Sequence, residues 1–280
     1  MSGHELNRLL AEIPEWSSLR GLLIDLDGVV YTGHEPIPGG AEFLAEARRR
    51  GLKFLLVTNN STASPELVAE RLRGMGIHVR PEEILSSAQA AAAYVRANCG
   101  AGARVLVIGE SGLVHAAQEQ GLVVAGDGDS GVDCVLAGLD RAFTYARLTC
   151  ATRAILAGAR FVATNADALL PAEGGQVIPG AGSIVAAIQT ATAVAPIVLG
   201  KPEPGLFEHG LRRLGGLLPE LVAMIGDRLD TDIVGGHRAG LRTILVLSGV
   251  TTAAQLATAT SSQPDAVAAN LAEVGGLLGW

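Results

Sequence analysis

The chain has 280 residues, 49% hydrophobic and 18% charged, with a formal net charge of −7. The apolar share fills one large core or two smaller ones and excludes a mainly disordered chain. The acidic balance excludes a protein that holds nucleic acid chiefly by neutralising its phosphates.

Taken in order, the N-terminus carries Glu5, Arg8, Glu12 and Glu15 before any apolar run, which does not read as a secretory signal. Short apolar runs bounded by turn residues follow. Leu22-Leu23-Ile24 precedes Asp25, Phe54 to Val57 precedes Thr58-Asn59-Asn60, and Val105 to Ile108 precedes Gly109. Cys134 to Ala137, Ile197 to Leu199, Val222 to Ile225 and Ile244 to Leu247 complete the series. Continuous apolar runs of this length fit strands buried on both faces of a parallel sheet. Between them, Ala41 to Arg50 and Pro65 to Arg73 read as helices, each followed by Gly. Strand and helix alternate, so the expected class is α/β with a doubly wound, mostly parallel, Rossmann-like sheet.

Other features read as ordinary. Cys99, Cys134 and Cys150 are odd in number and widely spaced, which fits buried small hydrophobes in a reducing compartment better than disulfides or zinc. No charge occurs between Glu173 and Lys201, but Gln176, Pro179, Gly180, Gln189 and Pro196 break that stretch into turn, helix and strand. A soluble, cytoplasmic protein with no membrane partner is expected. Asp127-Gly128-Asp129 lacks the glycine and glutamate of a calcium loop and reads as a surface turn. His34, His115, His209 and His237 show no metal-ligand spacing and read as surface or packing residues, with His237 the one nearest the chemistry.

Ligands of open parallel sheets sit beyond the carboxyl ends of the strands. Strand ends distant in sequence therefore bring Asp25, Asp27, Thr58, Asn59, Lys201, Asp227 and Asp232 toward one crevice. Several carboxylates converging there repel one another unless a cation neutralises them, and oxygen ligands with room for phosphate suit Mg²⁺. Asp25 and Asp27, two apart on extended backbone, point to one side, and Gly28 permits a sharp exit. Lys201 stands out by composition: of 21 basic residues, only Lys53 and Lys201 are lysine.

Four segments together resemble the motifs of the haloacid dehalogenase superfamily. They are Asp25-Leu26-Asp27-Gly28-Val29, Val57-Thr58-Asn59-Asn60-Ser61, Gly200-Lys201-Pro202, and Gly226-Asp227 through Asp232. Leu136 to Asp140, Ala163-Thr164-Asn165-Ala166-Asp167 and Pro179 to Ser183 resemble signatures of the phosphatase branch that includes NagD, phosphoglycolate phosphatase and pyridoxal phosphatase. The resemblance covers roughly residues 20 to 270.

It implies Mg²⁺-dependent hydrolysis of a small phosphate monoester through an aspartyl phosphate. Asp25 would be the nucleophile and Asp27 the acid and base. The Asp25 carboxylate, the Asp27 carbonyl oxygen and the Asp227 carboxylate would hold the metal. Thr58, Asn59 and Lys201 would hold phosphoryl oxygens, and Asp232 would orient Lys201 or a water of the metal.

Spacing adds a domain. Thr58 and Lys201 stand 143 residues apart, whereas Asp25 to Thr58 is 33 and Lys201 to Asp227 is 26, each about one strand–helix–strand step. About 100 residues remain for a separate α/β module. The resemblance makes this a C2-type cap, expected at 83–182 between core segments 1–82 and 183–280, and implies homodimers formed through it. Two other functions fit an alternating α/β pattern. A nicotinamide-binding oxidoreductase needs a glycine fingerprint where Asp25-Leu26-Asp27-Gly28 stands, and a signalling module phosphorylated on Asp25 without turnover is at odds with Asp27.

Overall fold

The computed structural model describes residues 16–171, 176–259 and 263–280. Glu5, Arg8, Glu12, Glu15 and Glu173, named above, lie outside the described residues. Contacts divide the chain into two compact units. The first holds the chain through Thr58, Ala69–Leu85 and everything from Lys201 onward; the second holds Asn59–Val68 and Ser86–Gly200.

The strands in chain order are β1 Gly21–Asp25, β2 Tyr31–Thr32, β3 Glu35–Pro36, β4 Lys53–Thr58 and β5 Ile84–Ser86. Then come β6 Arg104–Ile108, β7 Val123–Val124, β8 Cys134–Ala137, β9 Arg160–Ala163, β10 Leu169–Pro171, β11 Val177–Pro179 and β12 Ile197–Val198. The last three are β13 Val222–Gly226, β14 Arg242–Val246 and β15 Ala266–Ala268. The helices used below are α1 Gly40–Arg49, α2 Pro65–Gly74, α3 Ser87–Cys99, α4 Ser111–Glu119, α5 Tyr145–Leu156 and α6 Ala181–Thr192.

The first unit is built on a six-stranded sheet in the order β15-β14-β13-β1-β4-β5. β1 lies between β13 and β4, parallel to both, in the register Ile24↔Ile225 and Asp25↔Val57. Every residue of β1 and β13 is buried, as the unbroken apolar runs required. α1 shows why its sequence winds: Phe43, Leu44 and Ala47 are buried on one face, while Glu46 turns outward to Arg49 and Arg50. Gly51, at φ 71°, takes the left-handed conformation that ends it.

The second unit carries a five-stranded parallel sheet in the order β12-β9-β8-β6-β7. Leu106, Ile108, Val135, Ala137 and Phe161 pack with Ile184, Val185 and Ile188 of α6 in one cluster. This redraws the module expected at 83–182. α6 buries its apolar face against this sheet, and β12 pairs with β9, so the unit continues to Gly200. The run Ile197 to Leu199 is thus an edge strand of the second sheet, half exposed, and not a buried strand of the first. Hydrophobicity alone does not distinguish which sheet a short apolar run joins. Arg160–Ala163, opened by an exposed arginine, is a strand that the sequence reading did not single out.

Asp129 accepts a bond from the Gly126 amide and pairs with Arg104, which makes Asp127 to Asp129 the expected turn. The three cysteines are unpaired. Among the described residues no helix is long and apolar enough to cross a membrane.

Candidate active site

The parallel register brings Asp25, Thr58 and Asp227 to the same edge of the first sheet, at the carboxyl ends of β1, β4 and β13. Two further devices complete the cluster. Beyond β13, Leu229–Ile233 winds as a single π-helical turn, which carries Asp232 back so that its carboxylate accepts from the Arg228 amide at 3.1 Å. Lys201 opens the return of the chain into this unit, and its ammonium lies 2.8 Å from Asp25 Oδ1 and 2.7 Å from Asp232 Oδ1. Lys201 is 3% exposed, so this is an interior ion pair rather than a solvated one.

Close approach of backbone makes the rest possible. Gly28, at φ 80°, and Gly249 both border Asp227; a Cβ built on them would lie 2.3 Å and 2.0 Å from its Oδ2. Only glycine fits at either place. Asp227 Oδ2 accepts from the Val250 amide at 2.7 Å, and the Asp227 carbonyl accepts from Thr251.

Burial pushes Asp25 up to about 6, against the opposing pull of Lys201 and with Asp227 adding repulsion. Asp227 is pushed up to about 6 by burial and by Asp232, and Asp232 to about 6 by burial against Lys201. Burial pulls Lys201 the other way, but Asp232 and Asp25 more than offset it and hold the ammonium charged. One ammonium faces three carboxylates. Ligand oxygens of Asp25, Asp227 and Asp232 lie within 4.8 Å of one another, and Asp227 Oδ1 is buried without a hydrogen-bond partner. An orphaned carboxylate oxygen among hard oxygen donors is a place that fits a divalent cation.

Asp27 differs from the other acids. Loss of water around its carboxyl raises it, while a bond from Tyr31 opposes the rise. Its Oδ2 accepts from the Tyr31 hydroxyl at 3.0 Å, and Arg71 of α2 donates to that same hydroxyl. Sequence reasoning missed Tyr31 and Arg71. Tyr31 stands two residues beyond the first motif and four after Asp27, which was the signal available; nothing marked Arg71 or the Val250 amide.

Thr58 is buried at the end of β4. Asn59 begins a stretch of the second unit, where its side-chain amide donates to Asp167 at 2.9 Å. Its carbonyl accepts from Asn165 and Ser87. The Asn59 side chain is thus committed within that unit. His237 meets Thr243 and Asp265, as a packing residue would. His115 of α4, half-buried, lies between the exposed Glu66 of α2 and Glu119 of α4 at 3.6 and 3.5 Å.

The sequence model described as haloacid dehalogenase-like hydrolase matches residues 22–123, and one described as HAD-hydrolase-like matches residues 198–274. The chain is 43% identical over 233 residues to an acid sugar phosphatase of Staphylococcus aureus, covering 83% of this chain and 88% of that one. Among solved structures, a glycerol phosphate phosphatase from Mycobacterium tuberculosis in complex with magnesium superposes with a TM-score of 0.85 at 37% identity, covering 94% of this chain and 78% of that one. A p-nitrophenyl phosphatase from Archaeoglobus fulgidus gives a TM-score of 0.84 at 35% identity, covering 91% and 98%. The chain belongs to the haloacid dehalogenase-like hydrolases, within their NagD-like phosphatases.

Proposed function

We propose that this chain hydrolyses small phosphate monoesters with Mg²⁺ as cofactor and Asp25 as nucleophile. One observation carries the reading: Lys201 joins Asp25 to Asp232 in the interior, beside an Asp227 oxygen with no partner. Asp25 attacks phosphorus, and the bond to the leaving oxygen breaks as Asp27 protonates it. Asp27 then takes a proton from the water that opens the aspartyl phosphate.

Lys201, braced by Asp232, reaches both Asp25 and the phosphoryl oxygens. Thr58, through its hydroxyl, and Asn59, through its backbone amide, hold the remaining oxygens. The commitment of the Asn59 side chain to Asp167 supports a backbone role. The Asp25 and Asp227 carboxylates and the Asp27 carbonyl oxygen would hold Mg²⁺, whose charge lets an anionic nucleophile approach an anionic ester.

The second unit acts in this reading as a C2-type cap that sets specificity, and the protein is a cytoplasmic homodimer. Three unpaired cysteines support the reducing compartment. Relatives named for sugar and glycerol phosphates support a small phosphorylated metabolite as substrate. With the family known, the oxidoreductase and signalling alternatives fall away.

Turnover of p-nitrophenyl phosphate tests the reading. EDTA should abolish it, Mg²⁺ should restore it, and Ca²⁺, with longer and looser coordination, should restore little. Full activity in metal-free buffer would overturn the carboxylate site. A kinetic screen of small phosphate esters then names the substrate.

A further inference from the structure

The loop that follows the nucleophile folds back on itself. The Val30 and Tyr31 amides both donate to the Leu26 carbonyl, and the Gly28 amide donates to the Tyr31 carbonyl. Tyr31 is thereby carried next to Asp27, four residues earlier, and its ring is buried to 1% exposure. Its hydroxyl has one proton to give and gives it to Asp27 Oδ2 at 3.0 Å. The direction of that bond is fixed from outside. Arg71, exposed on α2, lays its guanidinium 4.7 Å from the Tyr31 ring centre and donates to the same oxygen. A hydroxyl that accepts from arginine has its proton free for the carboxylate alone.

The geometry assigns Tyr31, braced by Arg71, as the positioning residue for Asp27. It ties Oδ2, so that Oδ1 is the oxygen that exchanges a proton with the ester and with water. Neither side chain touches the reacting atoms in this assignment. The inference rests on the proposed role of Asp27 and adds what holds that side chain in its working orientation. A carboxylate on two rotatable bonds that loses such a tie spends less of its time aligned, and a misplacement of about 1 Å can cost on the order of 10²-fold.

Leaving-group dependence tests it, because a proton donor matters most where the leaving oxygen is most basic. We compare kcat/KM for phenyl phosphate and p-nitrophenyl phosphate, esters of nearly equal size whose leaving groups differ in basicity. Tyr31→Phe keeps the ring and removes only the hydroxyl. It should lower kcat/KM for phenyl phosphate about tenfold and for p-nitrophenyl phosphate about threefold or less, consistent with the share of acid catalysis that depends on alignment. Arg71→Gln, on an exposed face, should shift the ratio the same way by a smaller factor. In an Asp27→Asn background, Tyr31→Phe should add nothing.

Equal losses on both esters, in Tyr31→Phe and Arg71→Gln alike, would make the pair merely structural and overturn the assignment. So would a full further loss from Tyr31→Phe in the Asp27→Asn enzyme. If Asp27→Asn itself shows no leaving-group dependence, the acid role of Asp27 fails, and the positioning role fails with it. If Asp27→Asn shows that dependence and Tyr31→Phe does not, only the positioning role fails.

Discussion

Both units are parallel sheets wrapped by helices, yet the polar groups at their strand ends are partnered differently. In the first, buried strands end in ions: Asp25, Asp227 and the nearby Asp232 surround Lys201, and an Asp227 oxygen is left without a partner. In the second, β9 runs into Thr164, Asn165 and Asp167, which satisfy one another and the backbone. Asn165 donates to the Asn59 carbonyl, its own oxygen accepts from the Asp167 amide, and Asp167 accepts from the Asn59 side chain. Each of these groups bonds to another, and Asp167 is the one carboxylate among them. Three carboxylates around one ammonium, with an oxygen left over, stay open to a cation and to a phosphoryl group. The same architecture therefore carries a closed hydrogen-bond network at one strand end of the second unit and the candidate active site in the first, and the difference lies in which residue types follow the strands.

Replacing the ions one at a time breaks that contrast most sharply. Asp25→Asn keeps the shape of the strand end and removes the proposed nucleophile, so turnover should vanish with the fold intact. Retention of more than about a tenth of the wild-type kcat would remove Asp25 from that role. Lys201→Arg preserves charge. But the ammonium fits between carboxylates 2.8 and 2.7 Å away with 3% exposure, and a planar guanidinium with donors in a fixed fork does not. A fall in kcat/KM on the order of 10²-fold, roughly 2.7 kcal/mol of barrier, is expected. Overpacking should also lower Tm, by an amount corresponding to about 1–3 kcal/mol. An Arg variant within about threefold of wild type would show that Lys201 contributes charge alone.

In the second unit the expected readout is reversed. Asn165→Ala takes one of two donors from the Asn59 carbonyl, which keeps Ser87, and removes the acceptor of the half-buried Asp167 amide, which costs about 1–3 kcal/mol of stability. Thermal or urea unfolding should record that loss, while kcat for p-nitrophenyl phosphate changes far less than in Lys201→Arg. A kcat loss as large as that of Lys201→Arg would mean that this network takes part in catalysis.

The contrast was partly visible in the sequence. Asp25, Asp227 and Lys201 each follow an apolar run and a turn residue or strand end, a local pattern that carries both their place and their chemistry. Asp232 was legible as an acid near the site, but its ion pair with Lys201 depends on a π-helical turn that composition does not announce. The limit of the second unit was misplaced for a related reason. An edge strand of two residues and a helix with an apolar stripe serve either sheet equally well, and only the packing of Ile184, Val185 and Ile188 decides between them. Tyr31 is an aromatic in an apolar stretch, and its hydroxyl gains meaning only once the loop folds it onto Asp27.

The smallest effect concerns pH and probes the ions of the first unit without any mutation. Asp25, Asp227 and Asp232 are each pushed up to about 6, chiefly by burial, whereas these groups titrate near 4 in an unfolded chain. Between those values the folded state binds more protons than the unfolded one, so their contribution to stability is complete below about 4 and is lost as pH rises through about 6. A divalent cation takes the ionised carboxylates and competes with those protons. The gain in Tm on adding Mg²⁺ should therefore grow from pH 5 to pH 7.5 and then level off, while terms common to both samples cancel in the difference. Asp25→Asn, which removes one of the three acids, should flatten it. A Mg²⁺-induced gain that is constant across this range would mean that the cation is held somewhere other than the Asp25 and Asp227 carboxylates.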